Sequence, residues 1–233
     1  MNVIITGATK GIGRSIAEKM SSEGHNVCVC SRNKSDLEDM QAFWAKHYPN
    51  TTLYTKATDM SIKKEVLAFG EFAIEKLGSV DVLINNAGVF LPGLLMEEDE
   101  GALEKMMETN LYSAYHLTRQ IVSHMDTSAP SYIINMASVA SLLAYPNGGS
   151  YSISKFALRG FSMVLREELK ASNVKVTTVM PGATWSNSWA GVDLPESRLM
   201  QANDIAEAVW SIFQMSPAAV VEELILRPQL GDL

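Results

Sequence analysis

The chain alternates short, nearly unbroken apolar runs with longer stretches in which apolar residues return every three or four positions. The short runs are rich in β-branched residues and fall at Asn2–Thr6, Asn26–Ser31, Thr52–Lys56, Val80–Asn85, Tyr132–Met136, Val174–Met180 and Glu222–Leu226; each reads as a strand. Helical periodicity covers Ile12–Glu23, Lys34–His47, Ile62–Leu77, Gly101–Met125, Ser150–Ala171 and Asp204–Met215. Strands with one wet face would alternate apolar and polar residues. Runs such as Val-Asp-Val-Leu-Ile do not, which is the pattern of a parallel sheet covered by helices on both faces.

The regular strand–helix alternation predicts right-handed crossovers and an α/β, doubly wound (Rossmann-type) parallel sheet of seven strands with helices on both faces. A chain of 233 residues with 47% hydrophobic content suits one such domain over residues 1–233. The longest stretch without clear periodicity, 183–202, contains Trp185, Trp189 and Pro195. Its position after a strand end predicts a short lid over a site.

Charge and composition remove some classes. A net charge of -7 leaves no basic footprint for a nucleic-acid partner. No apolar run approaches the roughly 18 to 20 residues of a membrane helix. The first strand begins at Asn2, with no room before it for a signal peptide, so the expected location is cytoplasmic, with no membrane association. Cys28 and Cys30 stand two apart on one strand, on the same face but in poor geometry for a disulfide; they read as reduced core thiols. His25, His47, His116 and His124 show no ligand spacing, and no metal is expected.

Candidate chemistry begins at the first turn, Thr6-Gly7-Ala8-Thr9-Lys10-Gly11-Ile12-Gly13, between a strand and a helix. Glycines at 7, 11 and 13 allow a sharp turn and close approach of a ligand, and the helix start offers free N–H groups to a pyrophosphate. The spacing differs from G-x-G-x-x-G, and a tight turn without ligand is the competing reading. Dinucleotide binders that take NAD carry an acid about 20 residues on, against the ribose 2′-OH. Here the position reads Ser31-Arg32-Asn33, with no acid before Asp36. A hydroxyl and a guanidinium suit a 2′-phosphate, and Lys10 could add a second charge, so NADP(H) is the expected cofactor.

Further along stand Asn85-Asn86-Ala87-Gly88, Asn110, Ser138, Tyr151-x-x-x-Lys155 and Pro181-Gly182. With the glycine turn, these resemble the short-chain dehydrogenase/reductase family, in order and spacing, over nearly the whole chain. The resemblance extends to NADP-dependent carbonyl and 3-oxoacyl reductase-like members. It implies that Gly7, Thr9, Lys10, Gly11, Ile12 and Gly13 meet the cofactor phosphates. It also implies that Asp59 and Met60 contact the adenine edge and that Asn86, Ala87 and Gly88 line the cofactor. Pro181, Gly182 and Thr184 would face the nicotinamide, Ser186 being the alternative to Thr184. The C-terminal strand lacks the Gly-Gly ending of many relatives, and the lid region is short, which leaves the substrate class open.

Reduction of a carbonyl needs a hydride donor and a proton donor. A phenol with an ordinary pKa near 10 becomes a useful acid–base group when an ammonium stabilises its phenolate. Tyr151 and Lys155, four apart on one helix, share a face. Tyr151 is expected to move the proton and Lys155 to tune it and, by resemblance, to hold the nicotinamide ribose. Ser138, after a strand, can donate to the developing oxyanion. Asn110 matches the family's fourth member, which orders water to the lysine.

The expected activity is NADP(H)-dependent interconversion of a carbonyl and a secondary alcohol. A non-catalytic NADP(H)-binding regulator or redox sensor is the alternative, though such a protein would be expected to lose the tyrosine or lysine. A dinucleotide-dependent epimerase or dehydratase would need a larger C-terminal region. Leu91, Met96, Leu142, Tyr145, Pro146, Trp185 and Trp189 are candidate pocket walls for an apolar small-molecule substrate. Leu111, Tyr115, Phe156 and Phe161 on the two long helices suggest a homodimer or homotetramer.

Overall fold

The computed structural model describes residues 1–144, 147–185 and 195–232. Its strands are β1 (Asn2–Thr6), β2 (Asn26–Ser31), β3 (Leu53–Ala57), β4 (Val82–Asn85), β5 (Ser131–Met136), β6 (Val174–Pro181) and β7 (Glu223–Leu226). They form one sheet in the order β3-β2-β1-β4-β5-β6-β7, every pairing parallel. The order reverses between β1 and β4. In such sheets ligands bind in the crevice beyond the carboxyl ends of the strands at that switch point.

The helices are α1 (Gly11–Ser22), α2 (Lys34–His47), α3 (Lys63–Leu77), α4 (Ala102–Met107), α5 (Ser113–Ile121), α6 (Gly149–Leu169) and α7 (Ala202–Phe213). Successive strand residues serve opposite faces. Val3, Ile5, Val27, Val29, Val82 and Ile84 pack with Ile16, Met20, Met40, Trp44 and Val209 of α1, α2 and α7. Ile4, Cys28, Leu83 and Ile133 pack with Phe69, Leu117, Ile121 and Leu165 of α3, α5 and α6. This two-sided burial is why the strands carry no polar alternation. Cys28 and Cys30 are free and buried on the second face; desolvation pushes both thiols up, Cys30 to about 12. Among the described residues no helix is long and apolar enough to cross a membrane.

One long helix over Gly101–Met125 is not what forms. α4 gives way to a π-helical turn at Glu108–Tyr112, then α5, then a 3-10 turn at Val122–His124. In the π turn the Ser113 N–H reaches back five residues to the Glu108 carbonyl, and the Ser113 hydroxyl donates to the Thr109 carbonyl at 2.6 Å. The wide turn holds Asn110. Such insertions concentrate at functional sites.

Part of the expected lid and pocket, Tyr145, Pro146, Ser186 and Trp189, lies outside the described residues. The two flanks of 186–194 are tied together: Trp185 N–H donates to Met200 O at 2.7 Å, and Met200 N–H to Ala183 O at 3.1 Å.

Candidate active site

The glycine turn is strapped to the end of β4. Asn86 Nδ2 donates to the Thr6 and Gly7 carbonyls at 2.9 and 3.0 Å, and the Asn86 and Ala87 N–H groups donate to Thr6 Oγ1 at 3.0 and 2.9 Å. A Cβ on Gly13 would run into the Asn86 amide and lie 2.7 Å from the Gly7 carbonyl. Gly7 has φ +66, which an L side chain rarely adopts. Lys10, the residue before α1, makes no side-chain cap, and the first turn of α1 carries no acid. The positive end of that helix is therefore free to receive an anion. Uncapped amides, glycines at the points of close approach and the adjoining cleft fit a dinucleotide pyrophosphate.

The cleft has a volume of about 380 Å³ and is lined by Gly7, Thr9, Lys10, Ser31, Arg32, Asp59, Met60, Asn86, Ala87 and Gly88, all of them expected cofactor contacts. Thr9 Oγ1 donates to Ser31 Oγ at 3.0 Å, fixing the rim where β1 and β2 end. Lys10 Nζ lies 2.8 Å from Asp36 Oδ2. Its charge is thus shared with Asp36 in the first turn of α2, while its side chain still lines the cleft. Around Asp59, burial raises the carboxyl. Hydrogen bonds from the Ser61 N–H and hydroxyl, with Arg32 and Lys105 nearby, outweigh burial and hold it below the ordinary carboxylate range. Met60 is buried against Cys30, Sγ to Sδ 3.6 Å.

The cleft runs to Gly88, and Gly88 adjoins the second cluster: a Cβ there would lie 3.3 Å from Asn110 Oδ1 and 3.4 Å from Lys155 Nζ. Lys155 is 4% exposed, and its Nζ donates to the Met136 carbonyl at 2.8 Å. Desolvation lowers its pKa to about 8. The ammonium stands 5.7 Å from the centre of the Tyr151 ring, one helical turn earlier on α6. Phe90 packs edge-on against that ring, centroids 4.9 Å apart.

Asn110 spends its side chain on its neighbours. Oδ1 accepts from Val89 N–H at 2.7 Å, while Nδ2 donates to Val89 O at 3.0 Å and to Ser154 Oγ at 2.9 Å. The amide clamps the backbone after β4 to α6. Ser138 is buried at the start of the 3-10 turn Val139–Ser141, which packs against α6. Its Oγ accepts from Ala140 N–H at 3.2 Å, leaving the hydroxyl proton to donate elsewhere.

Gly11, Ile12, Gly13, Pro181, Gly182 and Thr184 do not themselves line the cleft. Gly182 N–H bonds the Leu226 carbonyl at 2.8 Å, and Thr184 Oγ1 turns back to Gly182 O at 3.0 Å. The residues that the sequence did not single out are Thr58, Ser61, Val89, Lys105 and Thr109, which complete the cleft. Lys105 and Thr109 stand one helical turn apart, a spacing that reads locally as an ordinary surface pair. Among the described residues, no group of three or more histidines, cysteines or acids could hold a metal ion.

The family model for short chain dehydrogenases matches residues 1–195. A sepiapterin reductase from Chlorobaculum tepidum is 32% identical over 239 residues, covering 99% of this chain and 97% of its own. An alcohol dehydrogenase from the archaeon Thermococcus sibiricus, solved with 5-hydroxy-NADP, superposes with a TM-score of 0.89 at 25% identity, over 98% of this chain and 96% of its own. A 7α-hydroxysteroid dehydrogenase solved with NADH and a 7-oxo bile acid does so with a TM-score of 0.88 at 28% identity, over 99% and 94%.

Proposed function

The chain belongs to the short chain dehydrogenase family, and from that membership we propose that it is an NADP(H)-dependent oxidoreductase that interconverts a carbonyl and a secondary alcohol. The observation that carries the reading is the buried Lys155 ammonium, set between the Tyr151 ring and the Gly88 end of the cleft. Burying a lysine is costly, and a cation held there has a use in stabilising the Tyr151 phenolate. The presence of both residues favours an enzyme over a cofactor-binding regulator.

Bound NADPH would supply the hydride. The α1 amides with Gly7 to Gly13 hold the pyrophosphate, Asp59 and Met60 meet the adenine edge, and Asn86 to Gly88 line the way to Lys155. Pro181, Gly182 and Thr184 flank the nicotinamide side. Tyr151 gives its phenolic proton to the carbonyl oxygen in reduction and takes one back in oxidation. Ser138 donates a hydrogen bond to the same oxygen. Asn110 holds the Val89 backbone and α6 in register and so positions Lys155 and Tyr151.

Relatives solved with NADP and NADH derivatives leave the cofactor to local chemistry. Ser31 and Arg32 offer a 2′-phosphate a hydroxyl and a guanidinium, while the acid that follows, Asp36, is engaged by Lys10. Arg32→Ala is expected to weaken NADPH binding about ten-fold while NADH binding barely changes, as loss of one charged phosphate contact requires. Fluorescence titration with both nucleotides checks this; equal loss for both would remove Arg32 from the phosphate.

The ring that meets Tyr151 is apolar. Phe90 packs on Tyr151, and of the chain segments expected to wall the pocket Leu94, Leu95, Leu143 and Trp185 are exposed and Met96 is 92% exposed, whereas Leu142 packs into a small core cluster and Leu91 is half-buried. The substrate is a small or medium ketone, aldehyde or secondary alcohol with an apolar body. A panel of ketones, sugars and acyl thioesters assayed with NADPH tests this, and turnover confined to highly charged substrates would refute it.

Leu111, Tyr112, Tyr115, Ala157 and Phe161, with His116, form a largely apolar groove across the π turn, α5 and α6, with Phe156 and Met163 exposed on α6. This face serves a homodimer or homotetramer. Light scattering at micromolar concentration should find an oligomer, and Phe156→Asp should dissociate it; a wild-type monomer would refute the assembly. The location proposed is the cytoplasm, where two reduced thiols persist.

A further inference from the structure

Helix α6 carries Tyr151 and Lys155, yet its own sequence leaves its N-terminus bare. Gly148, just before it, makes no side-chain cap, and the first turn holds no acid. The missing group comes from far away in the chain. Glu98 Oε1 accepts from the Ser150 N–H at 2.7 Å, and Glu98 Oε2 accepts from the Ser150 hydroxyl. Ser150 is 1% exposed and directly precedes Tyr151. Two glycines make room for this carboxylate. A Cβ on Gly149 would collide with Glu98 Oε1 and lie 2.9 Å from the Gly93 carbonyl, and a Cβ on Gly93 would lie 2.9 Å from Glu98 Cγ. The same strap is reinforced where Gly93 N–H donates to Asn147 O at 3.1 Å.

We propose that Glu98 is a positioning residue for the reaction: its carboxylate caps α6 from outside and fixes where the helix presents Tyr151. The inference rests on the role proposed above for Tyr151. A carboxylate at a helix N-terminus satisfies orphan amides and complements the helix dipole. The same carboxylate ties the segment bearing Phe90, whose ring packs on Tyr151, to the start of that helix. Ring and proton donor are thus held from two sides by one anchor. Small displacements of a reacting group are expensive, so loss of the anchor falls on the chemical step.

The variants are Glu98→Ala, Glu98→Gln and Gly149→Ala. Glu98→Ala should lower kcat about ten-fold, with KM for the carbonyl substrate and Kd for NADPH changing less than about two-fold. Glu98→Gln keeps an acceptor for the Ser150 amide and should recover most of the loss. Gly149→Ala, which favours helix intrinsically but displaces the carboxylate, should reproduce Glu98→Ala. Hydrogen exchange of the 147–156 segment reads the anchor without any turnover. It should accelerate in Glu98→Ala and Gly149→Ala and return toward wild type in Glu98→Gln. Unchanged exchange in Glu98→Ala overturns the proposal, as does a loss confined to KM or shared equally by NADPH binding. Absence of turnover in the wild type, with exchange behaving as expected, would instead sink the proposed reaction and leave the anchor standing.

Discussion

Tyr151→Phe is expected to lower turnover by about a thousand-fold, within the range that one acid–base group contributes, while NADPH affinity stays within a factor of about two. The substitution removes one oxygen and keeps the ring. The edge-on contact with Phe90 at 4.9 Å and the place of residue 151 on α6 are ring and backbone properties, so they persist. Lys155 stays buried with its bond to Met136 O. What is lost is the hydroxyl, and with it the proton for the reacting oxygen. Single-turnover kinetics with saturating NADPH and a nucleotide fluorescence titration separate the two quantities. A variant that keeps more than about a tenth of wild-type turnover would exclude Tyr151 as the acid. A parallel fall in NADPH affinity would mean that the Tyr151 hydroxyl holds the cofactor as well as, or instead of, moving the proton.

What could be read from the chain divides along sequence distance. The five inner strands were legible because they are buried on both faces, so Val27 to Cys30 or Val176 to Met180 needs no alternation to be seen. β3 starts one residue later than its apolar run because the Thr52 N–H is taken by the Asn26 side chain at 3.0 Å, before the ladder begins. Tyr151 and Lys155 were legible because a four-residue spacing on a helix is a local fact. The π turn was not. One extra residue in a turn barely disturbs the recurrence of Met106, Leu117 and Ile121, which stay buried on either side of it. Pairings between distant residues were also invisible. The pairing of Lys10 with Asp36 arises only when α2 brings the two side by side. Glu98 sits in the run Glu97-Glu98-Asp99-Glu100, which reads as a solvated acidic face, and its partner Ser150 is 52 residues away. Lys105 reaches the cleft only because α4 is placed over it.

Lys155→Met should abolish turnover to a similar degree and, at neutral pH, make the protein more stable. In the folded chain desolvation lowers the lysine pKa to about 8, against an ordinary 10.5. Below pH 8 both folded and unfolded chains carry the proton, and the folded state bears the full cost of a buried cation. Between 8 and 10.5 the unfolded chain binds more protons than the folded one, so stability rises with pH across that window. The cost relieved is on the order of 3 kcal/mol, at 1.36 kcal/mol for each pH unit of the shift. Methionine fills the same volume without charge, at the expense of leaving the Met136 carbonyl unpaired, a loss of about 1 kcal/mol. The expected balance is a gain of about 1 to 2 kcal/mol at pH 7 that vanishes near pH 10. Urea melts of both proteins at the two pH values check this, since other groups titrating at high pH are common to both and cancel in the difference. Parallel pH dependence would show that Lys155 is not charged at a cost in the folded state. A site assembled for stability alone would not hold a cation there; its retention beside Tyr151 is what a proton-transfer role would demand.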